Sequence, residues 1–439
     1  MSVPKSLFAN LFFFAVLFPY ISPVPTPFDI QPYTMLAALV ILAAAFYSGH
    51  LKLPVPIWLL GVPLLYAMGL LWLHGPPNFA GLRAVSGYLS VFGIAAATYL
   101  WMRYFNTRLF AWAVFTWLAV ALIQRFIYRD FGSSILPRFA PDYYLFYRGV
   151  ASLATEPSHY AGVCFFFLLF NELFYSYRLY AKRLYVVLAL ALSVQIVLTF
   201  SALGLLFVLL FASLKLTHIA FARLSPRTIA RAALMLLLFV AAGWVALRNE
   251  RIRSSRAVTL ARIAINTPHL LQEDQSVRGR WNNMTLPLVG FYRSYGTGFG
   301  LSSWESNSRA LAFGENPLVR FPRPQGPRIM SGWGTALFEL GVFGLALFLT
   351  VSWAMIDGMR RDRSRRGLFL LILICIHFAM LNATPLAFPP FAFLIGMCVA
   401  LPRKEQHRDR TPPWRRRLSP DGSGVGGIVE RHPPGQRQT

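Results

Sequence analysis

The chain has 439 residues, of which 56% are hydrophobic and 13% are charged, and its formal net charge is +25. An average soluble domain carries roughly 25% charged residues, so this composition excludes an ordinary soluble protein and indicates an integral membrane protein. The positive charge does not indicate nucleic-acid binding, because the basic residues lie between apolar runs instead of forming a stripe on a soluble module.

Apolar runs long enough to cross a bilayer recur along the whole chain. A hydrocarbon core of about 30 Å needs roughly 20 apolar residues per helix. The sequence therefore predicts an all-α polytopic membrane protein with about twelve transmembrane helices. Their predicted positions are 6–22, 33–49, 55–73, 84–102, 109–125, 158–176, 184–200, 203–220, 229–247, 332–355, 367–383 and 386–401. The seventh and eighth helices need a tight turn at Ser201, and an eleven-helix count is the alternative.

Lysine and arginine in the short connections predict the orientation of the chain. With twelve helices and a cytoplasmic N-terminus, every short inner connection is basic, as the positive-inside rule requires. Both termini are then cytoplasmic. The predicted organisation is helices 1–9 in residues 1–247 with an outer loop at about 125–157, a large arginine-rich outer loop at 248–331, helices 10–12 in 332–402, and a disordered basic tail at 403–439 that contacts membrane lipids.

The first outer loop ends in Thr155-Glu156-Pro157-Ser158-His159. Proline is well tolerated at the first position of a helix, so this stretch predicts a helix start. Two interpretations remain open. The stretch is only a helix start, which the residues before Pro157 cap, or the Glu156 carboxylate lies at the membrane surface, where it accepts a proton or orients a hydroxyl group.

The large outer loop, 248–331, contains twelve arginines and no lysine. A guanidinium group binds phosphate oxygens in bidentate fashion, so the loop predicts an anionic ligand. Arg278 and Arg280 are the leading candidates to bind it. The alternative is that these two side chains are solvated and pair with Glu273 and Asp274.

Two small-residue turns have a structural interpretation. The stretch 201–204 permits a tight turn and close helix contact. The stretch 296–300, Gly-Thr-Gly-Phe-Gly, predicts a turn in which glycine supplies unusual backbone conformations. As evidence for phosphate binding this second pattern is weak, because no Rossmann strand precedes it.

Ionisable residues within apolar runs are functional candidates, because exposing them to lipid is costly. Glu339 lies in the predicted tenth helix, roughly 9 Å below its outer end. Glu172 falls toward the cytoplasmic end of the sixth helix, where we expect it to reach the interface or pair with Arg178. His377 has the pattern of a core histidine.

The order of these features resembles the polytopic superfamily of O-antigen polymerases, exopolysaccharide polymerases and O-antigen ligases. The resemblance covers roughly residues 139–350. It rests on Glu156-Pro157-Ser158 before a helix, the turn at 201–204, the segment from Arg280 to Met284 leading to Gly298-Phe299-Gly300, and the stretch Phe338-Glu339-Leu340-Gly341-Val342-Phe343-Gly344.

This resemblance implies a metal-independent glycosyltransferase, with no cofactor, at the periplasmic face of the bacterial inner membrane. The implied substrate is a polyprenyl-diphosphate-linked oligosaccharide, and a chain-length regulator is a further possible partner. A polymerase transfers the growing glycan from its carrier to a hydroxyl of an incoming lipid-linked repeat unit. The released product is undecaprenyl diphosphate.

Two other functions remain as alternatives. A ligase of the same superfamily would transfer the glycan to lipid A core, but ligases carry a His-Asn pair where this chain has Ser331-Gly332, which favours the polymerase. A flippase or another membrane transporter is the alternative from a different class. Carriers commonly contain internal repeats, and the two halves of this chain do not match.

The chemistry implied by the resemblance assigns roles to five residues. Arg278, Arg280 and Arg148 would stabilise the negative charge of the diphosphate leaving group. Either Glu156 or Glu339 would accept the proton of the acceptor hydroxyl.

Overall fold

The structure is a computed structural model that describes residues 5–21, 30–73, 78–132, 149–222, 256–312, 328–382 and 384–410. Within these ranges the chain forms α-helices and short 3-10 turns and no strand, which confirms the all-α class. The α-helices are α1 (Lys5–Leu17), α2 (Tyr33–Tyr47), α3 (Val55–Leu59), α4 (Gly61–Leu73), α5 (Phe79–Trp101), α6 (Thr107–Phe126), α7 (Pro157–Ser176), α8 (Lys182–Leu198), α9 (Ala202–Ala222), α10 (Arg256–Asn266), α11 (Gln275–Arg293), α12 (Trp304–Ala312), α13 (Gly332–Leu340), α14 (Val342–Arg361), α15 (Arg366–Asn382) and α16 (Pro389–Arg410).

Among the described residues, five helical stretches are long and apolar enough to cross a membrane, which supports a membrane protein. Shorter apolar helices lie at Lys5–Leu17, Tyr33–Tyr47, Ala202–Thr217 and Pro389–Arg403. The five long stretches are Val55–Leu73, Phe79–Tyr104, Thr107–Phe126, Val342–Arg361 and Arg363–Asn382.

Eleven of the twelve predicted intervals overlap described helices, and the ninth, 229–247, lies outside the described residues. The third and the tenth intervals each overlap two helices. The seventh and eighth intervals are separate helices, α8 and α9. Helix α16 continues past the boundary predicted at 402, as far as Arg410.

The core forms where α5, α7 and α16 meet. Helix α5 packs closely on α16, because Gly396 has no side chain: a Cβ atom there would lie 2.6 Å from the carbonyl oxygen of Ala95. Helix α7 contacts α16 on one side and α8 and α9 on the other, and its apolar residues are almost all buried. Aromatic rings stack where neighbouring helices join this core: Phe13 of α1 lies on Phe393 of α16 at 5.0 Å, and Phe165 of α7 lies on Phe207 of α9 at 4.4 Å.

The turn between α8 and α9 has the structural role that its small residues predict. A Cβ atom at Gly204 would lie 2.9 Å from the Cβ atom of Ala161, so glycine lets α9 approach α7 closely. The hydroxyl of Thr199 bonds the Ile196 carbonyl and accepts from the Ser201 amide. These contacts close the turn within three residues.

The predicted partner of Glu172 is wrong. Its carboxylate accepts hydrogen bonds from the Lys215 ammonium group of α9 and from the Tyr185 hydroxyl of α8. Arg178 instead lies in the turn after α7, with a positive φ of 54°. The ion pair thus joins three helices of the bundle rather than neighbouring residues of one.

His377 lies in the core, as its pattern predicts. Its ring lies 4.1 Å from the ring of Phe348 and 5.4 Å from that of Trp333, and its Nε2 atom is 2.9 Å from the Ser352 hydroxyl. Its Nδ1 atom is buried without a hydrogen-bond partner in the described part of the chain. These contacts give the residue a packing role between α13, α14 and α15.

Candidate active site

The predicted tenth helix, 332–355, is in fact two helices divided at Gly341. Helix α13 ends at Leu340 and α14 begins at Val342. Gly341 has φ +56°, and a Cβ atom there would lie 2.0 Å from the carbonyl oxygen of Gly296. Only glycine fits this position. Glu339 therefore lies in the last turn of a short helix and precedes the apolar stretch that begins at Val342.

The glycine turn at 296–300 packs directly against this helix break. The Phe299 amide donates to the carbonyl of Phe338 over 2.8 Å, and the Gly300 amide donates to the carbonyl of Glu339 over 3.1 Å. In the other direction, the Val342 amide donates to the Gly296 carbonyl over 2.8 Å. The turn uses its backbone groups to hold the end of α13, which supports the structural interpretation of its glycines.

The side chain of Glu339 is buried, with 7% of its surface exposed. Its Oε2 atom accepts a hydrogen bond from the Tyr88 hydroxyl over 2.9 Å, and its Oε1 atom accepts one from the Ser302 amide over 3.0 Å. Ser302 has φ 58°, a strained conformation for a residue with a Cβ atom. The strained turn thus presents its amide to the carboxylate.

Glu156 lies at the start of α7, where Pro157 occupies the first helical position as predicted. The carboxylate of Glu156 makes no capping hydrogen bond, although the residue stands at the N-cap. It instead accepts a hydrogen bond from the Ser158 hydroxyl, and its Oε1 atom lies 3.3 Å from His159 Nε2. The helix start is therefore confirmed, and the carboxylate belongs to a polar cluster.

The connection between α15 and α16 contacts α13, α5 and Tyr20. On one side, the Gly332 amide at the start of α13 donates to the Thr384 carbonyl over 2.9 Å, and Leu386 packs against Gly87, the neighbour of Tyr88. On the other side, the ring of Phe388 lies 6.3 Å from that of Tyr20.

Tyr20 is the link from this connection to the Glu156 cluster. Its ring stacks on His159, with centroids 5.7 Å apart. The segment 384–388 therefore contacts Tyr20, which stacks on His159, and Gly87, which adjoins Tyr88 in the sequence.

Two of the three predicted arginines lie in α11. Arg148 lies outside the described residues. Arg278 and Arg280 are half-buried in the first turns of α11. The end of α13 contacts α11 at Gly290, ten residues after Arg280 and so about 15 Å away along the helix. The structure therefore does not join this arginine pair to the carboxylate of Glu339 by a direct contact.

Arg278 has one feature that indicates a ligand. Its Nε atom is buried and has no hydrogen-bond partner in the described part of the chain. A buried donor without a partner is costly, and a charged one more so. An anion at this atom would remove the cost.

A second basic pair, Arg83 and Arg328, was not selected from the sequence. Arg328 lies close enough to Arg83 for the two charges to repel, and both side chains are partly buried. Burial also lowers the pKa of Arg328. Arg83 precedes Tyr88 by five residues of α5, a helix rise of about 7.5 Å.

Other residues of the site also gave no distinctive signal in the sequence. Tyr88 is one of 18 tyrosines, and Arg83 stands just before the predicted fourth helix. Arg328 is the last of the loop arginines, which identifies it as a candidate without ranking it. His159 follows Glu156 by three residues at the start of α7. That spacing predicts a contact between the two side chains only if both lie on the same helical face.

No protein-family model matches the sequence of this chain, and no curated protein matches it either. Function has to be inferred from the residues and their geometry.

Proposed function

We propose that this chain is a polysaccharide polymerase of the membrane. It would transfer a growing glycan from a polyprenyl-diphosphate carrier to a hydroxyl of an incoming lipid-linked repeat unit, at the periplasmic face of the bacterial inner membrane. The observation that carries the proposal is the buried Glu339 carboxylate at a helix break, which Tyr88 and the Ser302 amide hold in place. It follows an arginine-rich segment in a chain of apolar helices.

The reaction needs a base and positive charge. The acceptor hydroxyl attacks the anomeric carbon, the bond from that carbon to the diphosphate oxygen breaks, and the diphosphate leaves with the electron pair. A carboxylate near the acceptor accepts the hydroxyl proton. Glu156 and Glu339 are the two candidate carboxylates. Beyond this base, the reaction requires only that the protein stabilise the leaving group.

Arginines supply that stabilisation in the proposal. Fixed positive charge acts strongly on a leaving diphosphate where water is excluded. The buried Nε atom of Arg278 supports a role for this residue. Arg280 and Arg148 remain candidates for the same role.

The Ser331-Gly332 pair favours the polymerase over the ligase in this proposal. The Ser331 hydroxyl donates to the Met380 carbonyl and accepts from the Gly334 amide, so it closes the start of α13. A Cβ atom at Gly332 would lie 2.2 Å from the Met380 side chain. The position where ligases carry His-Asn is thus filled by small residues with packing contacts.

Purified protein in lipid nanodiscs with a defined polyprenyl-diphosphate oligosaccharide tests the proposal. We expect a ladder of glycan products from the wild-type protein and a loss of at least about 100-fold in rate from Arg278→Gln, within the range reported for removal of transition-state charge stabilisation. Arg293→Gln is the matched control, because Arg293 is an exposed arginine of the same helix.

Three results would contradict the proposal. Wild-type protein that forms no ladder but moves the lipid-linked glycan across vesicles would be a carrier. Full elongation by both Glu156→Gln and Glu339→Gln would remove the base. Transfer to lipid A core, with no growth on lipid-linked repeat units, would identify a ligase.

A further inference from the structure

A chain of three side chains joins Thr155, His159 and Glu156 at the start of α7. The Thr155 hydroxyl lies 2.6 Å from His159 Nδ1, and the His159 Nε2 atom lies 3.3 Å from Glu156 Oε1. These two contacts place one polar group on each nitrogen of the His159 ring. An imidazole that contacts a hydroxyl at one nitrogen and a carboxylate at the other has a defined tautomer.

The tautomer follows from the chemistry of the two partners. A carboxylate only accepts hydrogen bonds, so the nitrogen that faces Glu156 carries the proton. Nδ1 of a neutral ring is then the acceptor, and the Thr155 hydroxyl donates to it. The Nε2 atom is buried and 3.3 Å from the carboxylate oxygen, although the N–H group does not point along a hydrogen bond in this structure. Catalytic hydrogen bonds are often long or poorly aligned before substrate binds.

Stacking on Tyr20 fixes the orientation of the His159 ring. The two rings are nearly parallel, at 10°, with centroids 5.7 Å apart, and Tyr20 is itself 3% exposed. The side chain of His159 is 13% exposed and that of Glu156 is 29% exposed. Glu156 is thus the more exposed of the two side chains, and it is the one that a substrate can reach.

Exposure also separates the two candidate bases. A general base must contact the hydroxyl whose proton it accepts. Glu339 is 7% exposed, and each of its oxygens already accepts a hydrogen bond from the protein. These contacts suit a residue that fixes the helix break at Gly341. Glu156 is the more accessible of the two acids.

We propose that Glu156 accepts the proton of the acceptor hydroxyl and that His159 is its positioning residue. This inference rests on the proposed polymerase function. The hydroxyl proton passes to the Glu156 carboxylate as the new glycosidic bond forms and the diphosphate leaves. His159 donates from Nε2 to the carboxylate and holds its orientation, while Thr155 fixes the tautomer of His159. Glu339 positions the loop and takes no proton.

The test measures kcat and KM for the acceptor in purified full-length protein with lipid-linked repeat units. Glu156→Gln should lower kcat by at least about 100-fold, the usual contribution of a general base. His159→Phe keeps a stacking ring but loses the donor, and it should lower kcat by roughly 10-fold with little change in KM. His159→Gln restores a donor, and we expect it to recover most of the loss.

Two further variants keep the test decisive. Thr155→Val leaves the ring and the acid in place but removes the hydroxyl, so it should lower kcat in the same direction as His159→Phe. His50→Phe, in the exposed connection between α2 and α3, is the control and should leave kcat unchanged.

Each outcome bears on a different claim. If the wild-type protein elongates glycan and both His159→Phe and Thr155→Val retain full kcat, the positioning role is wrong and the polymerase proposal stands. Equal losses in His159→Phe and His159→Gln, at equal amounts of folded protein, would also overturn the role of the donor. A greater loss from Glu339→Gln than from Glu156→Gln would reverse the assignment of the base. If the wild-type protein does not elongate glycan, the proposed function itself fails.

Discussion

The Tyr88 hydroxyl donates a 2.9 Å hydrogen bond to Glu339 across 251 residues of sequence. The bond joins the first half of α5 to the last turn of α13, and both side chains are buried. A buried polar group is costly unless it has a hydrogen-bond partner. Each of these two side chains therefore lowers the free-energy cost of burying the other. This contact fixes where the acid lies relative to the apolar helices.

Removing the hydroxyl of Tyr88 should weaken the fold around Glu339. Tyr88→Phe keeps the buried ring and leaves the acid with one donor fewer, so we expect a loss of about 1–3 kcal/mol in the free energy of unfolding. Thermal melting in detergent measures the change. Tyr66→Phe is the matched control, because Phe preserves the stack of this ring on Phe343 at 3.9 Å. Equal melting of the Tyr88 and Tyr66 variants would contradict a stabilising role for the bond.

Gly298 should tolerate no side chain. It has φ +82°, and a Cβ atom there would lie 2.6 Å from the amide nitrogen of Gly341. Gly298→Ala therefore combines backbone strain with a clash against the helix break. Gly49→Ala is the control for strain alone, because Gly49 has φ +69° and nothing within 4 Å of the added atom.

We expect Gly49→Ala to cost about 1 kcal/mol of stability. Gly298→Ala should cost clearly more and should also lower glycan elongation, because the turn holds Glu339. Melting curves and elongation rates of both variants give the comparison. A Gly298→Ala protein no less stable than Gly49→Ala would show that the turn does not depend on its contact with Gly341.

The ion pair of Glu172 and Lys215 should couple α7 to α9. Lys215→Met leaves a buried carboxylate without its cation, which we expect to cost on the order of 3 kcal/mol of stability. The double variant Lys215→Met, Glu172→Gln removes both charges and should recover most of that loss. A double-mutant cycle by thermal melting measures the coupling. Additive losses would show that the two groups do not stabilise each other.

The cluster around Asp362, at the connection between α14 and α15, should make the stability of the protein depend on pH. Asp362 accepts hydrogen bonds from Ser364 and Arg365, and from the Tyr177 hydroxyl over 3.1 Å. Burial by itself raises the pKa of Asp362, but the hydrogen bonds of Ser364 and Arg365 and the charge of Arg365 lower it below its ordinary value. The net shift of the pKa is downward.

The sign of the effect follows from this direction. A carboxylate whose pKa is lower in the folded than in the unfolded protein adds stability above its unfolded pKa of about 3.9, and that stability is lost as the pH falls through the folded pKa. Asp362→Asn should therefore be less stable than the wild type at pH 7, and the difference should shrink below about pH 4. Melting across this range measures it, with the exposed Glu305→Gln as the control. A difference that does not change with pH would contradict the prediction.

Much of the helical framework could be predicted from local sequence, since each apolar run of sufficient length has few alternatives in a bilayer. The start of α7 at Pro157 also followed from a local pattern, because proline fixes the backbone angle that a helix start needs. The division of the predicted tenth helix at Gly341 did not. Glycine occurs in many membrane helices, and nothing local distinguishes Gly341 from the others. Its positive φ and its close contact with Gly296 are seen only in the folded structure.

The partners of buried charges depended on the tertiary structure. Glu172 pairs with Lys215, 43 residues away, and not with Arg178, because α9 folds back against α7. The choice of Arg278 and Arg280 from twelve loop arginines stays a prediction, and Arg83 became a candidate only through its closeness to Arg328.

The sequence by itself determined that this is an all-α chain of apolar helices, and it selected Glu156 and Glu339 as the acids of interest. Hydrophobic run length and an ionisable residue in an apolar context are local properties, which one chain reveals without its fold. Only the tertiary structure decided that Tyr88 and Ser302 hold Glu339 and that His159 and Tyr20 surround Glu156. Those contacts depend on which helices pack together, and the packing is set by the shape of many side chains at once.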